Sequence, residues 1–454
     1  MAGLKELTDL SRLQLAGLLV VTVVTIPPSV TLQDRLGPVS LGCIPIASSR
    51  ETKIWNSFGY TVNMDTLFVW LTMRSASVIP DAIRKILGAT LHKDKWYKII
   101  AFPDGRFENP MSATDPRVKM ELSKHLAPAY TLSNLLVNER NISETIELLL
   151  GWLNKFASSG DPIDLGKYFT LAPSDIVGDA VFSKQFGFLR EGLDINNSIA
   201  NVSPNPVITW LNITPWGHLI DTAMSAIKER QKNQDARVDA VAHWFRMLHQ
   251  HPNRMQLHEI HSAAFNAVAA GNETVASGLQ AFVYYVIRHP NAWGRTRAEI
   301  ETAGLEGPVI GYMDAQKLPF LQACIKETLR VFGPAPIVLP RIVPEGVLTI
   351  GDRTIPQGTI VSMNIWGMHY LWAPSAGEFN LDRWLGEDAA HLSKYYIPAE
   401  PCANRAVQNL CNACARLNIR QVDLKQEWTW KAFFTVVPHN SPCYVERRTK
   451  KTTS

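Results

Sequence analysis

The sequence predicts a mainly α protein with small β-sheets, and three observations carry that reading. Long central stretches place apolar residues at the helical repeat, above all from Gln256 to Arg288, which contains no Pro. From Pro336 to Ile365 the pattern changes to short β-branched runs separated by turn signals, so short strands are expected there. No internal repeat, low-complexity segment or linker divides the chain, and 454 residues suffice for one large buried core. A hydrophobic content of 46% and a charged content of 19% are those of an ordinary folded enzyme. The net charge of +4 is small and scattered, which argues against a nucleic-acid partner. Six Cys in such a length fit a reducing compartment better than a disulfide-built scaffold.

Taken in order, the chain opens with a polar segment holding Lys5 and Arg12. Leu13 to Gln33 then carries no charge and begins with the apolar run LQLAGLLVVTVVTI. About 20 apolar residues cross a bilayer as a helix, so a membrane helix is expected in this segment. Pro27 and Pro28 limit its regular length, and a signal peptide or a buried segment are the competing readings. The expected organisation is an anchor and flank over residues 1–33 and a catalytic domain over residues 34–454. Lys93 to Lys98 (KDKWYK) reads as a basic, aromatic surface turn. Asp115-Pro116 signals a helix start, with Lys119 and Lys124 on the helix that follows. Ile146, Leu149, Leu150, Leu153 and Phe156 mark an amphipathic helix, and Leu171 to Leu189 another. Asn196 to Gly217 reads as loop and Leu219 to Gln250 as amphipathic helix. Further helices are expected over Ala292 to Ala303 and Lys317 to Phe332, the latter closed by Gly333 and Pro334.

Four stretches have chemical potential. In Ala269-Ala270-Gly271-Asn272-Glu273-Thr274 three small residues open a notch in a helix wall, with an acid and a hydroxyl directly after it. Such a notch admits a small ligand to which Glu273 and Thr274 could pass protons; close helix packing, with the Thr bonded to its own backbone, is the structural alternative. Glu327 and Arg330 stand three apart and share a helix face, a pattern that is most often solvated surface. Arg383, between aromatics in FNLDRW, could join them as a second guanidinium. Arg341 follows Pro340 at the start of the strand region, where a fixed Arg suits a buried carboxylate. Finally Cys402 sits in the loop YYIPAEPCANRAVQNL.

In this order and at these spacings the chain resembles the cytochrome P-450 family of haem-thiolate monooxygenases, most closely the fungal members that tailor secondary metabolites. The resemblance runs from about Lys93 to the C-terminus. It implies a cytochrome P-450-like fold and haem b (iron protoporphyrin IX) as cofactor, with Cys402 as the proximal thiolate that pushes electron density onto the iron. It implies Ala270, Gly271, Glu273 and Thr274 on the oxygen side of the haem, Thr274 and Glu273 managing protons. Glu327, Arg330 and Arg383 would form a structural triad, and Arg341 would pair with a haem propionate. Ile337 and Val338, placed just before the haem-facing strand, are expected to touch substrate. The implied reaction inserts one oxygen atom from O2 into a hydrophobic small molecule with electrons from NADPH-cytochrome P-450 reductase. The implied location is the endoplasmic reticulum membrane, with the catalytic domain facing the cytosol.

The chain departs from the family at the Cys loop. Pro398-Ala399-Glu400-Pro401 stands where the family carries Phe, two Gly and an Arg, and Asn404 stands where a Gly is usual. Two rival readings stay open. One is a non-catalytic or impaired relative that keeps the fold and binds haem poorly. The other is a zinc site built from Cys402, Cys411, Cys414 and Cys443. The helical look of LCNACARLNIRQ, and the family's C-terminal strands around Cys443, count against the zinc.

Overall fold

The computed structural model describes residues 79–88, 91–101, 108–199, 217–233, 239–289, 291–305, 307, 309–335, 339–351, 353–363, 365, 369–370, 375–397, 417–432, 435–439 and 441–447. All of them belong to one compact unit, residues 54–454. The expected anchor over residues 1–33, and the boundary after it, lie outside the described residues. Among the described residues no helix is long and apolar enough to cross a membrane.

The helices are α1 (Ile79–Leu87), α2 (Pro116–Leu126), α3 (Leu132–Val137), α4 (Glu139–Ser159), α5 (Leu165–Phe182), α6 (Phe188–Glu191), α7 (Gly217–Lys232), α8 (Ala240–Gln250), α9 (Leu257–Arg288), α10 (Ala292–Thr302), α11 (Tyr312–Ala315), α12 (Pro319–Val331) and α13 (Ala389–Leu392). The strands are β1 (His92–Lys93), β2 (Ile163–Asp164), β3 (Arg341–Ile342), β4 (Val347–Ile350), β5 (Arg353–Pro356), β6 (Ile360–Val361), β7 (Asn418–Gln421), β8 (Thr429–Ala432), β9 (Val436–His439) and β10 (Pro442–Glu446). They form sheets ordered β1-β3-β6 and β2-β10-β7 and hairpins β4-β5 and β8-β9, every pairing antiparallel. The fold is mainly α with small sheets, as its periodicities predict.

Helix α9, 32 residues long, is the axis of the unit. Glu259 accepts the Gln256 N–H at 2.6 Å and so satisfies a donor at its start. At its end His289 turns extended, the conformation imposed by the following Pro290. Leu279, Phe282 and Val286 of α9 share one core with Phe169 and Ile176 of α5, Leu149 and Leu153 of α4, and Leu321 and Ile325 of α12. Burial on more than one side explains why α9 is apolar nearly all round. A second core sets Ala82 and Ile86 of α1 against Val343, Ile350, Ile355 and Val361 of the strand region, with Tyr395.

Some boundaries differ from the sequence reading. Helix α5 begins at Leu165 rather than Leu171, because Asp164 caps it by accepting the Lys167 N–H at 3.3 Å. The stretch expected as one helix from Leu219 divides into α7 and α8, the second started by Asp239, whose carboxylate accepts the Ala242 N–H at 2.7 Å. The N-terminus of α12 has no cap of its own. Glu299 of α10 supplies one from outside, accepting the N–H groups of Phe320 at 2.8 Å and Leu321 at 2.9 Å. KDKWYK is not a surface turn. Lys93 is buried in β1, and Tyr97 is fully buried in the 3-10 turn that follows.

Candidate active site

Glu327 and Arg330 lie on the buried face of α12, both almost completely removed from water. Arg330 donates through Nε and Nη2 to the two oxygens of Glu327, each at 2.8 Å. Its other donors reach the carbonyls of His369 (3.0 Å), Ala376 (2.6 Å) and Glu378 (2.9 Å), so all five guanidinium hydrogens have acceptors. Glu327 also accepts from Arg383 Nε (3.4 Å), Trp384 Nε1 (2.9 Å) and the Asn380 N–H (2.8 Å). The three charged residues singled out from spacing thus meet at one carboxylate. They tie α12 to the chain between residues 369 and 384, just before the Cys loop.

On α9, Thr274 Oγ1 donates to the Ala270 carbonyl at 2.8 Å, which leaves the hydroxyl oxygen able to accept. A side chain at Gly271 would point at α5: a Cβ there would lie 2.8 Å from Val177 Cγ2. The glycine thus faces the contact between α9 and α5, the packing role that small residues in a helix most often have. Glu273 leaves the helix on another side, where its carboxylate accepts the hydroxyl of Thr435, the residue before β9. Burial raises the Glu273 carboxyl above the usual carboxylate range, and the Thr435 hydrogen bond partly opposes the shift. Ser277, which shares a helix face with Thr274, has a buried Oγ without a hydrogen-bond partner among the described residues.

Arg341 is buried in β3, and its neighbours were not read from the sequence. Lys93 of β1 is its direct partner across the strands, also buried. Like charges placed opposite each other in a sheet repel. Arg341 Nη1 donates to the Tyr97 hydroxyl at 2.6 Å, and Lys93 Nζ lies 4.9 Å from the Tyr97 ring centroid. Lys93 also donates to the carbonyls of Pro110 (2.8 Å) and Met111 (2.6 Å). Burial first, then Lys119 and Arg341, lower the Lys93 ammonium to about 7. Burial and Arg341 lower Lys119 of α2 as well. Among the described residues no carboxylate forms an ion pair with Lys93, Lys119 or Arg341. Glu108 acts on Lys93 in the opposite sense, more weakly than the burial and the two cations. Three cations gathered with no carboxylate ion-paired to them make a cradle for a carboxylate-bearing ligand.

Cys402, Ile337 and Val338 lie outside the described residues. The chain enters the Cys402 segment beside the Ile397 N–H, which donates to His369 Nε2 at 3.4 Å. It leaves by buried Leu417, whose carbonyl accepts Trp293 Nε1 at 3.1 Å. Cys443 is buried in β10, the central strand of a three-stranded sheet. Burial pushes its thiol up to about 12, which disfavours the thiolate a zinc site needs. No cluster of metal-ligating side chains occurs among the described residues.

The family model for cytochrome P450 matches residues 68–398, most of the chain. The chain is a cytochrome P450. The match ends four residues before Cys402, at the loop where the sequence departs from the family. Similar proteins include the cytochrome P450 monooxygenase pkfB of Emericella nidulans, 26% identical over 69% of this chain and 68% of that protein. Another is the cytochrome P450 monooxygenase ACRTS1 of Alternaria alternata, 28% identical over 58% of this chain and 80% of that protein. A third is the cytochrome P450 monooxygenase ORF11 of Penicillium roqueforti, 29% identical over 66% of this chain and 67% of that protein. The chain therefore belongs to a family of oxygen-incorporating oxidoreductases that carry a haem-thiolate cofactor.

The residues of this cytochrome P450 fit such a group. Haem carries two propionates, and the cradle of Lys93, Lys119, Arg341 and the Tyr97 hydroxyl gathers cations and a donor with which no carboxylate of the described residues forms an ion pair. The sequence pointed to Arg341 alone. Lys93 and Tyr97 are the buried members of KDKWYK, while Lys95 and Lys98 are exposed, and no strand or helix periodicity in so short a run marks them out.

Proposed function

We propose that this cytochrome P450 oxidises a hydrophobic small molecule, an intermediate of fungal secondary metabolism, by inserting one atom of O2. Electrons come from NADPH-cytochrome P-450 reductase. The segment over residues 1–33 anchors the chain in the endoplasmic reticulum membrane, and the domain over residues 34–454 faces the cytosol. The observation that carries the reading is the buried, like-charged pair Lys93 and Arg341 in a chain of this family. When bound, a haem b with a cysteine thiolate supplies the activation of dioxygen.

The chain's own residues do the rest. Arg341 and Lys93, with Lys119 and the Tyr97 hydroxyl, hold the propionate carboxylates. Cys402 holds the iron. Thr274, its own proton engaged with the Ala270 carbonyl, presents an oxygen that accepts a hydrogen bond from a water. Glu273, whose burial keeps its proton more firmly than an exposed carboxyl, gives up and takes back a proton at Oε2. Ile337 and Val338 contact the substrate. Glu327, Arg330 and Arg383 keep the route into the Cys402 loop rigid.

The test is the spectrum of the reduced protein under carbon monoxide. A red-shifted Soret band of thiolate ligation is expected, and Cys402→Ser is expected to abolish it. A preparation that takes up no haem would instead support the impaired relative, and a band that survives the substitution would show that another group holds the iron.

A further inference from the structure

Glu273 has two influences on it among the described residues, burial and the hydroxyl of Thr435. Thr435 is itself almost wholly buried, and its place is set by the element that carries it. It stands at the base of β9, which pairs with β8 from Val436↔Ala432 to His439↔Thr429. The Val436 N–H donates to the Pro334 carbonyl at 2.9 Å, pinning this strand to the end of α12. Trp428, just before β8, stacks on Tyr284 of α9 with ring centroids 4.1 Å apart and planes 6° apart. Val436, Phe332 and Ala281 close a small apolar cluster around the junction. The hairpin is thus fastened to α9 and to α12, and the hydroxyl it delivers to Glu273 arrives from a rigid support.

We infer that Thr435 is a positioning residue for Glu273, holding its carboxyl in one orientation and keeping it hydrogen-bonded whether or not it carries a proton. The chemistry follows from what a hydroxyl is. Thr435 Oγ1 donates to Oε2 while Glu273 is ionised. When Glu273 takes up a proton, Thr435 turns its own O–H away and accepts from the carboxyl, and Thr435 stays neutral throughout. A valine has the same shape and can do neither. A buried carboxylate without a donor loses the partner that offsets its desolvation, which favours its protonated form. The inference rests on the reading of Glu273 as a proton carrier, and two measurements separate them.

The first is a pH titration of the Glu273 carboxyl by its infrared C=O stretch in the full chain, the band assigned as the one Glu273→Gln removes. In Thr435→Val the midpoint is expected to move up, because the donor to the ionised form is gone. In Thr435→Ser it is expected to stay with the unaltered protein. Should the valine variant not fold, judged by circular dichroism, Thr435→Ala replaces it. A valine or alanine variant that titrates like the parent overturns the inference, as does a serine variant that moves with the valine. So does the lack of any band that Glu273→Gln removes. The second measurement is the fraction of electrons from reductase that leave as hydrogen peroxide in the haem-loaded protein. It is expected to rise in Glu273→Gln and in Thr435→Val and to return to the parent value in Thr435→Ser. A shifted infrared midpoint with peroxide unchanged in Glu273→Gln would sink the proton-carrier reading and leave the pairing intact.

Discussion

At the residue scale the sharpest case is Arg330, whose five donors all have acceptors and whose surroundings exclude water. A lysine has three donors on a tetrahedral head and cannot reproduce two parallel bonds to Glu327. Arg330→Lys is expected to cost about 3 kcal/mol in denaturant unfolding, and Glu327→Ala about 3–5 kcal/mol, since it leaves a buried guanidinium uncompensated. A loss under 1 kcal/mol for either would mean that the network adds little to stability. Lys93 makes the opposite case. Its ammonium is lowered from 10.5 to about 7, so the folded, haem-free chain binds fewer protons than the unfolded chain between these values. Stability of that form is therefore expected to rise as pH increases from about 7 towards 10.5. Lys93→Met is expected to remove this slope and to stabilise the haem-free chain at neutral pH, which chemical denaturation at several pH values would read out.

At the scale of elements the sequence was legible where contacts are local. Helix α9 announces itself through a long Pro-free repeat and ends where His289-Pro290 says it should. The Glu327 and Arg330 pair is readable from three-residue spacing, because one helix turn brings such residues together. Lys93 and Arg341 were not readable as a pair. Their meeting depends on the register of two short strands far apart in the chain, and nothing local encodes that register. The Thr435 and Glu273 contact is of the same kind, made by a hairpin docking on a helix. At Gly271 the sequence leaves a ligand notch and close helix packing both open, since it cannot tell which way a missing side chain would point; the structure turns it towards Val177. Gly271→Leu is expected to force α9 and α5 apart and to cost about 1–3 kcal/mol. Gly271→Ala is expected to be near neutral, because the valine methyl can yield and alanine favours the helix by about 1 kcal/mol. Thermal unfolding of the two variants, with and without Val177→Ala, would separate the terms: relief in the double variant is expected only if the clash is with that side chain.

At the scale of the whole molecule the cytochrome P450 assignment joins parts that no local reading could join: a fold built on α9, a charged network that anchors the route to Cys402, and a cationic cradle at a sheet edge. Haem loading is expected to raise the unfolding midpoint and to abolish the pH dependence attributed to Lys93, because propionates keep that ammonium charged; titrations of haem-free and haem-loaded protein side by side would check it. The cradle also says something about the order in which the chain is completed. Strand β1 is only two residues long and lies at the edge of its sheet, held by Lys93 N–H to the Thr114 carbonyl at 3.1 Å and by Asp94 N–H to the Pro340 carbonyl at 3.3 Å. Until a dianion sits between them, its buried lysine pushes against the arginine of its neighbour. That edge is then the natural last piece to set during biosynthesis, a clasp that shuts around the arriving cofactor. Amide exchange at residues 92–94 should be fast before loading and slow after it, while the amides of α9 barely change.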